Sequence, residues 1–176
     1  MKNKFILAIL FLFSIAFYSY SQIKKTDYLK YNQLYLTWNN HNINFSDIKP
    51  SVIIKLLGKP IKIEKEKSEV TDAIVTTYIY SNGEINMEGN SVSFITIKKA
   101  GWAFTFKKGN VYTKPFTIGT NSVELTQLFP YSSINKKTHS IQIPIKTNTG
   151  IITESSIIFE IDGSLIKTLS LFTDES

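Results

Sequence analysis

The residues that could carry out chemistry are few and scattered along this sequence. The two histidines, His41 and His139, each lie among polar, loop-like residues, without a second histidine at the spacing of a metal-binding pair. The chain contains no cysteine, and all of its basic residues are lysines. Thiol nucleophiles, thiolate metal ligands and bidentate arginine contacts to phosphate are therefore excluded. We predict neither a metal site nor a cofactor.

Carboxylates remain candidates for acid–base catalysis, because two acids distant in sequence can meet in the fold. Glu84 and Glu88 share a strand parity, but Gly89 indicates a turn beside them. Asp162 is explained by the turn that Asp162-Gly163 favours. The sequence has no serine elbow, phosphate loop or dinucleotide fingerprint. We predict that the protein is not an enzyme; a hydrolase whose carboxylates converge only in the fold is the open alternative.

Aromatic residues on strand-like segments point to binding instead. In the segment 74–80, Thr76, Tyr78 and Tyr80 face one side of the predicted strand and aliphatic residues face the other. Tyrosine and tryptophan combine a large contact area with a polar group, as is typical of protein-binding hot spots. We predict a protein-binding surface formed by Tyr78, Tyr80 and Trp102 on the open face of a sheet. The alternative is that these rings fill the core.

Two short helices are expected to support the strands. The first lies between Pro50, which suits the first helical position, and Gly58, which suits the position after the last one. The second lies within residues 118–130, where Asn121 can cap the first turn. Helices of this length are marginal alone, so each must be stabilised by packing against a sheet.

Runs of β-branched and aromatic residues after each helix predict antiparallel strands. The predicted strands are residues 75–80, 84–87, 91–98, 102–106, 140–146, 157–161 and 165–172. Pro144 indicates an edge strand or a bulge. The run 64–69 alternates in charge sign and is predicted to be a solvated hairpin tip or loop. Residues 22–44 are predicted to begin irregularly and to continue as a strand or a helix that packs Trp38.

The helix that ends in Leu57-Gly58-Lys59-Pro60 and leads into a sheet resembles the module of the small outer-membrane-assembly lipoproteins (the SmpA/OmlA kind). Two such modules in tandem resemble the β-lactamase inhibitor proteins, with Leu128-Phe129-Pro130 as a degraded second copy. The lipid-carrying cysteine and the disulfides of these families have no counterpart here. The resemblance implies an α+β fold of two tandem repeats, each a short helix followed by a three- to four-stranded antiparallel sheet, and an exported binding role.

The N-terminus has the pattern of a cleaved signal peptide. Lys2 and Lys4 precede the apolar segment 5–17, and Ser19 and Ser21 are small residues at the positions that a signal peptidase reads. The apolar segment is shorter than the ~20 residues that span a membrane, so we predict no stable membrane anchor. The predicted parts are a signal peptide (1–21), an N-terminal segment (22–44), a first helix-plus-sheet unit (45–116) and a second (117–176), which together form one compact domain.

Composition and charge fit an exported, folded protein. Hydrophobic residues make up 43% of the chain, which is typical of a globular domain. The net charge of +6 comes from lysines in short, scattered clusters, so we predict no nucleic-acid partner. We predict a periplasmic or secreted, non-enzymatic module that binds an unknown protein partner in the cell envelope or outside the cell. A carrier of an apolar ligand, held between helix and sheet, is the alternative.

Overall fold

The computed structural model describes residues 25–68 and 71–173. The predicted signal peptide (1–21) and the start of the predicted N-terminal segment lie outside the described residues. Within them, the chain forms twelve strands and two α-helices. No helix in this described part is long and apolar enough to cross a membrane.

The bounds of the strands and helices are as follows. The strands are β1 (Leu29–Lys30), β2 (Leu34–Trp38), β3 (His41–Asn44), β4 (Lys62–Lys67), β5 (Ile74–Ile79), β6 (Gly83–Glu88), β7 (Ser91–Ile97), β8 (Trp102–Lys108), β9 (Val111–Tyr112), β10 (Ser140–Lys146), β11 (Ile152–Asp162) and β12 (Leu165–Phe172). The α-helices are α1 (Pro50–Leu57) and α2 (Ser122–Leu128). Short 3-10 helices span Tyr31–Gln33 and Phe45–Asp47.

The strands form two sheets. The large sheet has eight strands in the order β1-β10-β11-β12-β7-β6-β5-β4, and the small sheet has four in the order β3-β2-β8-β9. All neighbouring strands are antiparallel except β1 and β10, which are parallel. Strands from both halves of the chain meet in the middle of the large sheet, where β7 pairs with β12 and Ile95 lies opposite Leu171.

This topology contradicts the predicted α+β fold of two tandem helix-plus-sheet repeats: the protein is mostly strand, in two sheets. β8 does not continue the meander of β5, β6 and β7 but pairs with β2 in the small sheet. The reason lies in its sequence, because the segment from Trp102 to Phe106 is buried at every residue and needs a position inside the molecule rather than on an exposed sheet.

The two helices themselves are confirmed. α1 has Pro50 in its first turn, and Gly58 follows it at a φ of +81°, a left-handed value that glycine adopts without steric cost. The side chain of Asn121 accepts a hydrogen bond from the main-chain N–H of Val123 at 2.9 Å and caps α2. For the helices, the error lies in the step from two helices to two equivalent repeats.

Other local predictions had mixed outcomes. The pairing register shifts between Pro144 and Lys146, which confirms the predicted bulge. The N-terminal segment contains the β2–β3 hairpin, and Trp38 packs against the core from it as the strand alternative requires. The prediction of a loop is wrong for residues 64–67, because they belong to β4 and pair with β5 along its length.

One core joins the two sheets. The inner face of the large sheet is the face that carries Ile85, Ile95 and Leu171, each 0% exposed, and it packs against the small sheet. Aromatic rings connect the two layers: the Phe106 ring lies 6.4 Å from Phe159 and 5.5 Å from Phe129, which follows α2. Because this cluster draws on strands from both halves of the chain, the described residues behave as one packing unit.

Candidate functional site

The predicted binding residues Tyr78, Tyr80 and Trp102 lie close to one another, but not on an open face. Tyr78 is 8% exposed because the face of β5 that carries it is the inner face of the large sheet. Trp102 lies on β8 of the small sheet and is 2% exposed. Only Tyr80 keeps part of its surface in solvent. The binding role of these residues was predicted from an open sheet face, and Tyr78 and Trp102 do not lie on one. The binding role itself stays a prediction.

Tyr80 links three parts of the fold. Its ring contacts that of Trp102 edge-on, at 5.2 Å between centroids, and its hydroxyl donates a hydrogen bond to the Gly58 carbonyl oxygen at 3.3 Å. Burial disfavours the charged phenolate and, with a smaller contribution from nearby Tyr78, raises the pKa of Tyr80 to about 12. The phenol is therefore neutral at physiological pH, and its contacts are those of a packing residue.

The inner face of the large sheet becomes exposed at its β4 end. Along one row of the inner face, Ile85 is 0% exposed, its neighbour Tyr78 is 8% exposed, and the next residue, Ile63 on β4, is 49% exposed. This gradient shows that the layer packed on the inner face ends above β5. We call β4 and β5, residues 62–67 and 74–79, the overhang. Large apolar side chains are exposed here or beside it: Ile61, Ile63 and Ile74.

The overhang ends in an unpaired strand edge. β4 pairs with β5 on one side and is the last strand of the large sheet among the described residues. The main-chain N–H of Ser68 donates to the Ala73 carbonyl at 2.8 Å. Because bonded and non-bonded positions alternate in an antiparallel pair, the N–H and C=O groups of Ile63, Lys65 and Lys67 point away from β5. These are the groups that a further strand could bind.

The charges of β4 are divided between its two faces. Ile63, Lys65 and Lys67 share the inner face, and Lys62, Glu64 and Glu66 share the outer face. Lys62 forms a salt bridge with Glu64 at 2.5 Å, and the hydrogen bond and charge of Glu64 raise the pKa of the Lys62 ammonium. Lys67 forms a second salt bridge, with Asp72, at 2.6 Å.

Sequence reasoning missed the overhang because it took alternating charge as a sign of a loop. The signal that could have found it is the period of two, which places Lys65 and Lys67 on the face of Ile63 and both glutamates on the other face, with Lys62. A solvated loop has no reason to keep such a division. The pattern predicts a strand exposed on both faces, and β4 has no buried residue.

Two recesses bear on the alternative functions. A recess of about 620 Å³ beside β10 and β11 is lined mostly by polar residues: Ser133, Asn135, Thr138, Ser140, Gln142, Ile158 and Glu160. A smaller one of about 200 Å³, against Phe106, Leu128 and Phe129, is also lined by charged residues, among them Asp27, Lys107 and Lys108. Its volume is below the ~300 Å³ at which ligand pockets begin. Neither of these two recesses has a mostly apolar lining, and the carrier alternative stays a prediction.

Some of the chemistry-bearing residues meet in the fold, and others do not. His139 lines a polar recess with Glu160 and Asp162, whereas His41 lies on β3 in the small sheet. Across residues 25–68 and 71–173, no group of three or more histidine, cysteine, aspartate and glutamate side chains is placed to hold a metal ion. Glu160 and Asp162 line the same recess, and the hydrolase alternative stays a prediction.

Comparison with known proteins adds little to this geometry. No family model matches the chain, and no solved structure matches it. The chain is similar to the uncharacterized protein MJ0259 of Methanocaldococcus jannaschii, with 27% identity over 164 residues that cover 74% of this chain and 81% of the relative. These comparisons say nothing about the lipoprotein or inhibitor modules, so the resemblance to them stays a prediction.

Proposed function

We propose that this chain is an exported, non-enzymatic protein that binds another protein, and that the overhang is its contact surface. Apolar side chains and an unpaired strand edge occur together there. Patches that expose apolar residues within a polar rim commonly mark interaction sites. The signal-peptide pattern of residues 1–21 supports export, and with it a partner in the cell envelope or outside the cell.

One observation carries the proposal: Ile63 and Ile74 lie on the inner face of the sheet and are 49% and 54% exposed. On the neighbouring strand, Ile85 and Met87 of the same face are both 0% exposed. The inner face of the large sheet therefore extends beyond the layer that packs on it. Because about half of each side chain is still exposed, covering these two isoleucines would contribute on the order of 1 kcal/mol each, enough to favour a partner.

The test is capture of a partner by the purified protein lacking residues 1–21. The immobilised chain is incubated with envelope and culture fractions of the source organism, and retained proteins are identified and quantified by mass spectrometry. We expect a protein that the wild type retains and that the double variant Ile63→Ser/Ile74→Ser retains at least about tenfold less, because ~1.4 kcal/mol corresponds to tenfold in affinity.

The matched control is Ile151→Ser/Ile152→Ser. These isoleucines are 67% and 59% exposed and lie at the start of β11, five strands away from β4 in the large sheet. The control should retain the partner as the wild type does. Equal loss in both variants, or no protein retained above background, would contradict the proposal. Recovery of the native chain from the cytoplasm with residues 1–21 intact would contradict its export.

A further inference from the structure

The geometry of β4 points to a specific binding mode, and this inference rests on the proposed function. We infer that the partner contributes an extended segment that pairs antiparallel with the free edge of β4. The segment carries acidic side chains on the face of Lys65 and Lys67, and basic side chains on the face of Glu64 and Glu66. The large sheet thereby gains a ninth strand.

The first support is the accessibility of the edge. The outward N–H and C=O groups of Ile63, Lys65 and Lys67 form a row along nearly the full length of β4. The β4 side chains are exposed or half-exposed, and none of them is buried. No strand from residues 25–68 and 71–173 pairs with this edge, so an incoming strand meets backbone groups that these residues leave open. Strand addition of this kind obtains its affinity from main-chain hydrogen bonds.

The second support is charge. Lys62 and Lys67 already have carboxylate partners, Glu64 and Asp72. Lys65 and Glu66 form no salt bridge among the described residues, and they lie on opposite faces of the strand. Opposite charges directly across a strand pair are favourable and like charges are unfavourable. The strand therefore selects a partner with an acid beside Lys65 and a base beside Glu66.

A second copy of the chain fits this edge poorly. Antiparallel pairing about a two-fold axis normal to the sheet places residues of the same face opposite one another. A register centred on Lys65 places Glu64 opposite Glu66 and Lys65 opposite its own copy. A register centred on Glu64 places that residue opposite its own copy, Lys62 opposite Glu66, and Lys65 opposite Ile63. Neither register gives Lys65 an acidic partner, and both bring glutamates together, which favours a different chain as the occupant.

The probe is a synthetic peptide with the core Glu-Lys-Glu-Lys-Val-Glu, which matches β4 in antiparallel register from Lys67 to Lys62. Its control is the charge-exchanged core Lys-Glu-Lys-Glu-Val-Lys. Binding to the chain without residues 1–21 is measured by fluorescence anisotropy. We expect the first peptide to bind at least about tenfold more tightly, and Lys65→Glu/Lys67→Glu in the protein to reduce or reverse the preference.

Backbone pairing is tested separately from charge. Lys65→Pro removes an outward N–H that β5 does not use, so it should abolish peptide binding, whereas Lys65→Gln should weaken it only about two- to threefold. The same question is also put to the peptide, a test that leaves the fold of the protein unchanged. N-methylation of the amides opposite Ile63 and Lys65 should abolish binding to the wild type, and N-methylation opposite Glu64 and Glu66 should not.

Equal affinity for the two peptides, indifference to N-methylation, or absence of binding would overturn strand addition. If the Ile63→Ser/Ile74→Ser variant still loses its captured partner in that case, protein binding by the overhang survives and only the mode is wrong. Sedimentation of the wild type alone checks self-association. A dimer that Lys65→Pro dissociates would show that a second copy is the occupant, contrary to the inference.

Discussion

Tyr80 connects the packing of the fold to a measurable ionisation. Its hydroxyl binds the Gly58 carbonyl at the end of α1 and its ring contacts Trp102 on β8, so the side chain joins the large sheet, the small sheet and a helix. Burial raises its pKa to about 12 from an ordinary value of 10. The folded protein therefore keeps the phenolic proton over a pH range in which the unfolded chain has lost it.

This shift fixes the sign of a pH effect on stability. The contribution of the neutral Tyr80 phenol is fully present below pH 10 and is lost as the pH rises from 10 to about 12. We expect Tyr80→Phe to lower the free energy of unfolding by about 0.5–1.5 kcal/mol at neutral pH, through the lost hydrogen bond to Gly58. Between pH 10 and 12 the wild type should then lose more stability than the variant.

The measurement is urea unfolding of both proteins across this pH range, with a tyrosinate absorbance titration of the folded proteins. The difference between the two proteins isolates Tyr80, because lysines and the other tyrosines titrate in both. The titration of the wild type should contain one late tyrosine that Tyr80→Phe lacks. Identical losses of stability between pH 10 and 12 would contradict the assigned role of Tyr80.

Helix α1 shows how a short element depends on its packing. With eight residues it cannot be stable alone. Ile53 on this helix is 1% exposed and belongs to the core, whereas the next residue, Ile54, is 42% exposed. The two isoleucines thus have the same side chain and adjacent positions, and they differ in burial.

We expect Ile53→Ala to lower the free energy of unfolding by about 2–4 kcal/mol, because it leaves a cavity in the core. Ile54→Ala should change the same quantity by less than about 1 kcal/mol, since its side chain is partly in solvent and alanine favours the helix equally at both sites. Urea unfolding monitored by circular dichroism measures both. Comparable losses would show that α1 does not bury the face carrying Ile53.

The elements that could be predicted from the sequence are those fixed by local chemistry. The start of α1 at Pro50 and its end before Gly58 need only neighbouring residues, and both are confirmed. The inner face of β5 could not be read, because Tyr78 on one face and Val75 and Ile79 on the other are all compatible with a core. The pairing of β8 with β2 and the pairing of β7 with β12 depend on partners distant in sequence, on which local patterns carry no information.

At the scale of the whole molecule, the large sheet joins the two halves of the chain. Strands β4 to β7 come from the first half and β10 to β12 from the second, and they meet where β7 pairs with β12. The small sheet then covers the inner face on both sides of this junction, with rings such as Phe106 reaching Phe159 on β11. Neither half keeps its buried face covered without the other. The two halves should therefore unfold together.

Ile95 and Leu171 test this expectation, because they lie opposite one another across the junction and are both 0% exposed. We expect the chain without residues 1–21 to unfold in one calorimetric transition, and Ile95→Ala and Leu171→Ala each to lower the free energy of unfolding by about 2–4 kcal/mol. As direct neighbours, the two substitutions should be non-additive by about 0.5 kcal/mol or more. Two independently folding units would instead give two transitions. Each substitution would then lower the midpoint temperature of only the transition that belongs to its own half.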